Sequence, residues 1–238
     1  MKLSRYKSSS PVSYALGATL SYELLKTRPE LITRLFLRPE TKHGEDIEKI
    51  LLLAKELKIE IIESQKAFNV LDAKESCLLI AEFKKESPNL DESTSHIVLV
   101  NPSDAGNLGT IMRTAAAFGF KNLAIIEPAV DPYSPKAVRA SMGAIFHLNL
   151  QRYQNFDEYR EKYPNFPLFA FILDKNAQKI DEIPQKSQKI TLIFGNEASG
   201  LPEEFAQIAT PIFIPQSSDV DSLNLSIAAG IAMYRFRQ

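Results

Sequence analysis

Lys189-Ile-Thr-Leu-Ile-Phe194 has the pattern of a buried strand, and it runs straight into a glycine turn, Gly195-Asn-Glu-Ala-Ser-Gly200. A second short apolar strand follows, Pro211-Ile-Phe-Ile-Pro215. It leads through the polar loop Gln216-Ser-Ser-Asp-Val-Asp221 into a helix that opens Ser222-Leu-Asn-Leu-Ser226. Two strand-to-turn junctions this close together predict a small-molecule pocket.

Working upstream, Ile97-Val-Leu-Val100 reads as a strand that enters Asn101-Pro-Ser-Asp-Ala-Gly106 and then a helix over 107–118. Further strands at 123–126, 168–173, 190–194 and 212–214, with helices between them, predict an α/β domain with a mostly parallel sheet covered on both faces. Ahead of it lies a shorter α/β alternation. It comprises a helix over 12–27 ended by Arg28-Pro29, a β-rich segment 31–37, an amphipathic helix 45–57, a strand 59–62, a short helix 66–71 and a strand 76–83. Between Phe83 and His96 the chain is polar, holds a proline and shows no apolar period, as a linker does. The expected division is therefore 1–84, a linker at 85–95, and 96–238.

Composition limits the class. Among 238 residues, 45% hydrophobic, there is one cysteine, Cys77, so neither an intrachain disulfide nor a cysteine-based metal site can form. No apolar run approaches the roughly 20 residues a membrane helix needs, and the N-terminus lacks a signal-peptide core. These features predict a soluble, cytoplasmic protein without a membrane partner. The net charge of −1 permits a local basic patch but no basic coat. The slight basic excess lies in the first ninety residues, where Lys2, Arg5 and Lys7 precede any acid; this arm either meets phosphate or frays in solvent.

In the helix at 107–118, Leu108, Ile111, Met112, Ala115 and Phe118 form a core stripe, with Asn107 expected as N-cap. Arg113 lies off the stripe beside Gly109 and Thr110, which leaves its guanidinium room to reach a ligand. Pairing with a surface carboxylate is the alternative. The helix over 222–236 is apolar almost all round. Its slim side, Ser226, Ala229, Gly230 and Met233, suits either a homodimer contact or ordinary core packing.

Three stretches in order, Asn107-Leu-Gly-Thr-Ile-Met-Arg113, Phe194-Gly-Asn-Glu-Ala-Ser-Gly-Leu201 and Ile214-Pro…Ser222-Leu-Asn-Leu-Ser226, resemble the three motifs of the SpoU/TrmH-type RNA ribose 2′-O-methyltransferases. Lys136-Ala-Val-Arg-Ala-Ser-Met-Gly-Ala-Ile-Phe146 also looks like the connecting stretch of that family's catalytic domain. The resemblance covers about 96–236, and residues 1–84 have the size and pattern of the substrate-binding domain many members carry. It implies S-adenosylmethionine as cofactor, a C-terminal trefoil knot, a homodimer through the catalytic domain, and ribosomal or transfer RNA as acceptor, ribosomal RNA slightly favoured. By the same resemblance Gly195, Ile214 and Leu223 hold the cofactor, while Arg113, Glu197, Asn224, Asn107 and Ser222 serve catalysis.

Methyl transfer from a sulfonium to a ribose 2′-hydroxyl is an in-line displacement that needs alignment and help in removing a proton from a weak acid. His43, His96 and His147 stand where structural or solvent-exposed roles fit better than catalysis. Arginine stays protonated, so Arg113 is expected as phosphate clamp and stabiliser of the developing alkoxide rather than as base. Asn107 is expected to hold the nucleotide or Arg113. Glu197 and Asn224 are expected to orient Arg113 or substrate, and Ser222 to cap its helix and also bind ligand. The competing local roles are an N-cap for Asn107, a turn carboxylate for Glu197 and a first-turn residue for Asn224.

The chain leaves the family pattern at Gln216, Ser218 and Asp219, where Met and Gly-Gly are frequent, and at Ala198, where glycine is frequent. A catalytically silent RNA-binding or ribosome-assembly factor on the same fold is the rival reading. A dinucleotide or phosphoryl-transfer enzyme is disfavoured, because the chain lacks both Gly-x-Gly-x-x-Gly after a strand and Gly-Lys-Ser/Thr.

Overall fold

The computed structural model describes residues 4–39, 44–174, 176–184 and 189–237, and it divides the chain into two units. The first unit contains residues 1–86 and 131–147; the second contains 87–130 and 148–238. Sequence placed 131–147 inside the contiguous stretch 96–238, so this grouping differs from the expected division. Lys2 and His43 lie outside the described residues.

In the first unit β1 (Val12–Leu16), α1 (Ala18–Thr27), β2 (Ile32–Leu37), α2 (Glu45–Glu56), β3 (Ile61–Glu63), α3 (Gln65–Val70) and β4 (Leu79–Lys84) form a four-stranded sheet and its helices. The sheet order is β1-β4-β2-β3, with β4 antiparallel to both neighbours and β2 parallel to β3. The continuous helix expected over 12–27 is corrected. Gly17 has φ +112°, open to glycine and strained for other residues, and it ends a buried strand before α1 begins. Val12 and Tyr14 join Phe36, Phe68 and Ile80 in the core there.

The segment 131–147 is held to this unit along its length. Tyr6 donates to the Asp131 carboxylate, and Lys85 lies 3.5 Å from it. Tyr133 OH donates to the Glu86 carbonyl, Phe146 meets Phe83 edge-on at 5.2 Å, and His147 Nε2 is 2.8 Å from Glu23.

The second unit contains β5 (His96–Val100), α4 (Ala105–Ala117) and β6 (Asn122–Ile126); the short helix α5 (Pro135–Ala140) next in the chain belongs to the first unit. The second unit continues with β7 (Asn149–Tyr153), α6 (Phe156–Lys162), β8 (Leu168–Phe171), β9 (Gln178–Lys179), β10 (Thr191–Phe194), α7 (Phe205–Ile208), β11 (Thr210–Phe213) and α8 (Leu225–Arg235). The seven strands run β7-β6-β5-β10-β8-β11-β9, every pairing among the described residues being parallel. β7 and β9 were missed because Asn-Leu-Gln-Arg-Tyr and Gln-Lys are too polar or too short to announce a strand.

Both faces of the central strands are buried, as a parallel sheet requires. Val98, Val100, Ala124, Ile126 and Ile193 share one cluster with Tyr159 and Tyr163 at the end of α6 and with Phe205 of α7. The alternate residues Ile97, Leu99, Leu123, Ile125, Leu192 and Phe194 are equally buried, and α8, packed on α4, contacts β10. The stretch read as a linker takes part in the core: Leu90 is buried and its N–H donates to Tyr163 OH at 3.1 Å.

His96 is also buried, bonded through Nδ1 to Tyr159 OH at 3.0 Å and through Nε2 to the Asp91 carbonyl at 3.1 Å. A carbonyl can only accept, so Nε2 carries the proton and Nδ1 accepts from the tyrosine.

On α8, Ser226, Ala229 and Met233 are buried within the chain, and a Cβ at Gly230 would sit 3.7 Å from Thr114 of α4. The slim side expected as a possible dimer contact is thus occupied by α4, and the core-packing alternative holds for it. The outward side of α8 instead presents Ile227, Ile231 and Tyr234 at 52%, 38% and 58% exposure.

Candidate active site

A cavity of about 330 Å³ lies at the carboxyl ends of β8, β10 and β11. Gly195, Ile214 and Leu223, contributed by three separate loops, all line it, as do Glu197 and Ser222. Its apolar wall includes Phe171 and Phe194, whose rings stack with centroids 4.6 Å apart and planes inclined by 13°.

Gly195 is required where it stands. A Cβ there would lie 2.1 Å from the Gly200 carbonyl carbon and 2.3 Å from Leu201 N, both backbone atoms that cannot step aside. The close approach closes the loop: Asn196 N donates to Gly200 O at 3.0 Å, and Gly200 N returns a bond to Asn196 O at 2.9 Å.

Glu197 lies where this turn meets the loop after β5. Its Oε2 accepts from Ser103 N at 3.0 Å and Ser103 Oγ at 2.7 Å; its Oε1 accepts from Asp104 N at 3.1 Å and Asn107 Nδ2 at 3.3 Å. Partial burial opposes ionisation of this carboxyl, but the hydrogen bonds led by Ser103 outweigh it, and its pKa lies below the ordinary glutamate value.

Asn107 extends the chain of contacts, because its Oδ1 accepts from Asn224 Nδ2 at 3.0 Å. Asn224 Oδ1 in turn accepts from Ser226 N at 2.8 Å and Ser226 Oγ at 2.7 Å. Two cap assignments are therefore corrected. Asp104, not Asn107, caps α4, its carboxylate accepting from Asn107 N at 2.8 Å. Asn224, not Ser222, caps α8. In both cases the residue nearest the first helical turn has the side-chain acceptor at the right distance from an unsatisfied N–H.

Arg113 is exposed on α4 and takes part in no hydrogen bond or ion pair among the described residues. The carboxylate pairing weighed for it is absent there, and Glu197 spends its oxygens on Ser103, Asp104 and Asn107 instead. Arg113, Asn107 and Asn224 do not line the cavity. Of the residues that depart from the family pattern, Gln216 and Ala198 line it, whereas Ser218 and Asp219 face solvent. Gln216 Nε2 spans the loop to the Asp221 carbonyl at 3.3 Å.

Sequence reading missed Ser103, Asn196 and Ser226 as members of this arrangement. Asn196 Nδ2 donates to the Asn101 carbonyl at 2.8 Å and its Oδ1 accepts from Ala198 N at 2.9 Å, tying the two loops together. Ser103 lies in the turn Asn101-Pro-Ser-Asp-Ala-Gly106, and its type suits a hydrogen bond. Nothing local named a partner 94 residues away.

A parallel α/β sheet with a cavity at its carboxyl ends and a polar chain linking three loops defines a ligand-binding α/β domain. The family model described as the SpoU rRNA Methylase family matches residues 94–234, and the chain belongs to that family.

Among its relatives, the 23S rRNA (guanosine(2553)-2′-O)-methyltransferase RlmP of Bacillus subtilis is 27% identical over 93% of this chain and 86% of its own length. An uncharacterised tRNA/rRNA methyltransferase of Synechocystis is 35% identical over 60% of this chain, a match that spans 52% of that relative. Among solved structures, the AdoMet-bound rRNA methyltransferase from Sinorhizobium meliloti superposes with a TM-score of 0.80. It is 27% identical, over 94% of this chain and 86% of that one.

Proposed function

We propose that the protein is an S-adenosylmethionine-dependent methyltransferase acting on a ribose 2′-hydroxyl of ribosomal or transfer RNA, ribosomal RNA slightly favoured. The observation that carries this reading is the cavity at Gly195, Ile214 and Leu223 with the Glu197–Asn107–Asn224 chain beginning at its rim. The lining fits the methyl donor in kind. Phe171, Phe194, Ile212 and Leu223 offer an apolar wall for a heteroaromatic base, and the Gly195–Gly200 turn offers close backbone for polar groups.

The bound donor supplies an electrophilic methyl group on a sulfonium. The chain supplies alignment and charge. Gly195, Ile214 and Leu223 hold the donor, Ser222 borders it, and Asn107, Glu197 and Asn224 face the acceptor. Arg113, exposed and without a counter-ion among the described residues, clamps a phosphate of the RNA and stabilises the developing alkoxide; the 2′-hydroxyl proton passes to solvent water as the C–S bond breaks and the donor leaves as a neutral thioether.

The remaining parts follow the family. Residues 1–84 serve as the RNA-binding domain and 96–238 as the catalytic domain, whose C-terminal segment forms a trefoil knot; the connecting stretch 85–95 packs Leu90 into the second unit. The protein works as a homodimer through the catalytic domain, the outward side of α8 being the surface offered. No helix among the described residues is long and apolar enough to cross a membrane. The decisive experiment is transfer of labelled methyl into total RNA from a strain lacking the protein, followed by mapping of the modified nucleotide. Label on a ribose 2′-oxygen is the expected result; no labelled RNA in any fraction overturns the enzyme reading in favour of a silent RNA-binding factor.

A further inference from the structure

Ser103 lies outside the three motif stretches, yet it gives Glu197 two of its five donors, the main-chain N–H at 3.0 Å and the hydroxyl at 2.7 Å. We propose that Ser103 is a positioning residue for methyl transfer, which fixes the Glu197 carboxylate and, through it, the amide face of Asn107. This rests on the reading that Glu197, Asn107 and Asn224 face the acceptor.

An asparagine amide can be flipped end for end at little cost unless both ends are committed. Asn107 Nδ2 is committed to Glu197 Oε1, and Asn107 Oδ1 accepts from Asn224 Nδ2. Asn224 Oδ1 is committed at the start of α8 to Ser226. Each amide nitrogen carries two hydrogens, so one N–H on Asn107 and one on Asn224 remain to be given to an oxygen of the acceptor. Ser226 sets the direction of the Asn224 amide, while the Asn107 Nδ2 end depends on Glu197 staying an anion with its oxygens fixed, because a protonated carboxyl would present a donor of its own. The Ser103 hydroxyl gives the shortest of the five bonds to Glu197.

The charged neighbour in this cluster is Asp104, which offers Glu197 a main-chain N–H while its own carboxylate accepts from Asn107 N.

The test compares wild type, Ser103→Ala and Ser103→Thr. In the cofactor-free proteins the Glu197 carboxyl is titrated by carbon-detected NMR; with cofactor and the RNA acceptor, the transfer rate at saturation and the cofactor Kd are measured. Ser103→Ala is expected to move the Glu197 pKa up toward the ordinary glutamate range and to lower the saturated rate about tenfold. Cofactor Kd should stay within error, and the melting temperature should fall only by the stability that the raised Glu197 pKa removes at neutral pH. Ser103→Thr, which keeps the hydroxyl, should restore both the titration and the rate.

An unchanged Glu197 titration, an unchanged rate, or a loss confined to cofactor affinity in Ser103→Ala overturns the proposal and leaves the enzyme reading intact. Absence of transfer by the wild-type protein removes that reading, and this proposal with it.

Discussion

Asn224 Nδ2 donates to Asn107 Oδ1 at 3.0 Å, which joins the first turn of α8 to the first turn of α4 across 117 residues of chain. Asn224 therefore does two separable things, since its oxygen caps α8 at Ser226 and its nitrogen reaches Asn107. Asn224→Asp keeps the oxygen and loses the donor. The expected outcome is a melting temperature close to wild type with methyl transfer reduced at least tenfold. Asn224→Ala should lose the cap as well, about 1 kcal/mol of stability, measured by urea unfolding. Equal activity in Asn224→Asp and wild type would remove Asn224 from the site.

Gly195→Ala places a methyl group on backbone atoms of Gly200 and Leu201 at 2.1 to 2.3 Å. The loop has to open, at a cost of about 1–3 kcal/mol, and the cavity wall moves with it. Calorimetry is expected to find S-adenosylmethionine binding lost or weakened at least a hundredfold. Wild-type affinity in this variant would place the cofactor elsewhere.

Arg113→Ala should leave stability within about 0.5 kcal/mol of wild type, because the side chain is exposed and bonded to nothing among the described residues. Transfer should fall by a factor on the order of 100 or more, with cofactor binding unchanged. Arg113→Lys should recover little, since a point charge does not reproduce a planar two-pronged donor. Full activity in Arg113→Ala would sink the assignment.

Burial lowers the His96 pKa below its usual 6.5, outweighing the opposing bond to Asp91. Below pH 6.5 the unfolded chain binds a proton that the folded chain refuses, so stability falls as pH drops from 6.5 toward the folded-state pKa and levels off beneath it. Thermal unfolding of wild type and His96→Gln between pH 7.5 and 5 checks this; the variant should be less stable overall but should show a shallower dependence on pH across that window.

Ile227, Ile231 and Tyr234 recur along the outward side of α8, where solvent is a poor neighbour for them. Ile231→Glu is expected to shift sedimentation from dimer to monomer without loss of secondary structure. A wild-type protein that sediments as a monomer at micromolar concentration contradicts the proposed assembly.

Much of the second unit was legible in the chain because its strands are buried on both faces and must be apolar throughout. Ile97-Val-Leu-Val100 and Lys189-Ile-Thr-Leu-Ile-Phe194 leave little else to be. The misreading at 12–27 has the opposite cause: Val-Ser-Tyr-Ala-Leu is apolar enough for either a strand or a helix, and only pairing with Leu79–Lys84 decides it. The cap assignments failed by a few residues for a related reason. Asp104, Asn107, Ser222 and Asn224 are all competent caps, and the backbone angles that select one are set by where the preceding strand ends.

By itself the sequence determined which residues could do chemistry and the buried α/β character of the sheet, since residue type and apolar period are local properties. It also carried the three ordered stretches that mark the family. Tertiary structure decided who meets whom. Glu197 was free on paper to pair with Arg113, but the loop after β5 brings Ser103, Asp104 and Asn107 to it first, and α4 takes the slim side of α8 that could have served a second chain. Such choices depend on contacts between residues 90 or more apart, and no periodicity in a linear chain encodes them.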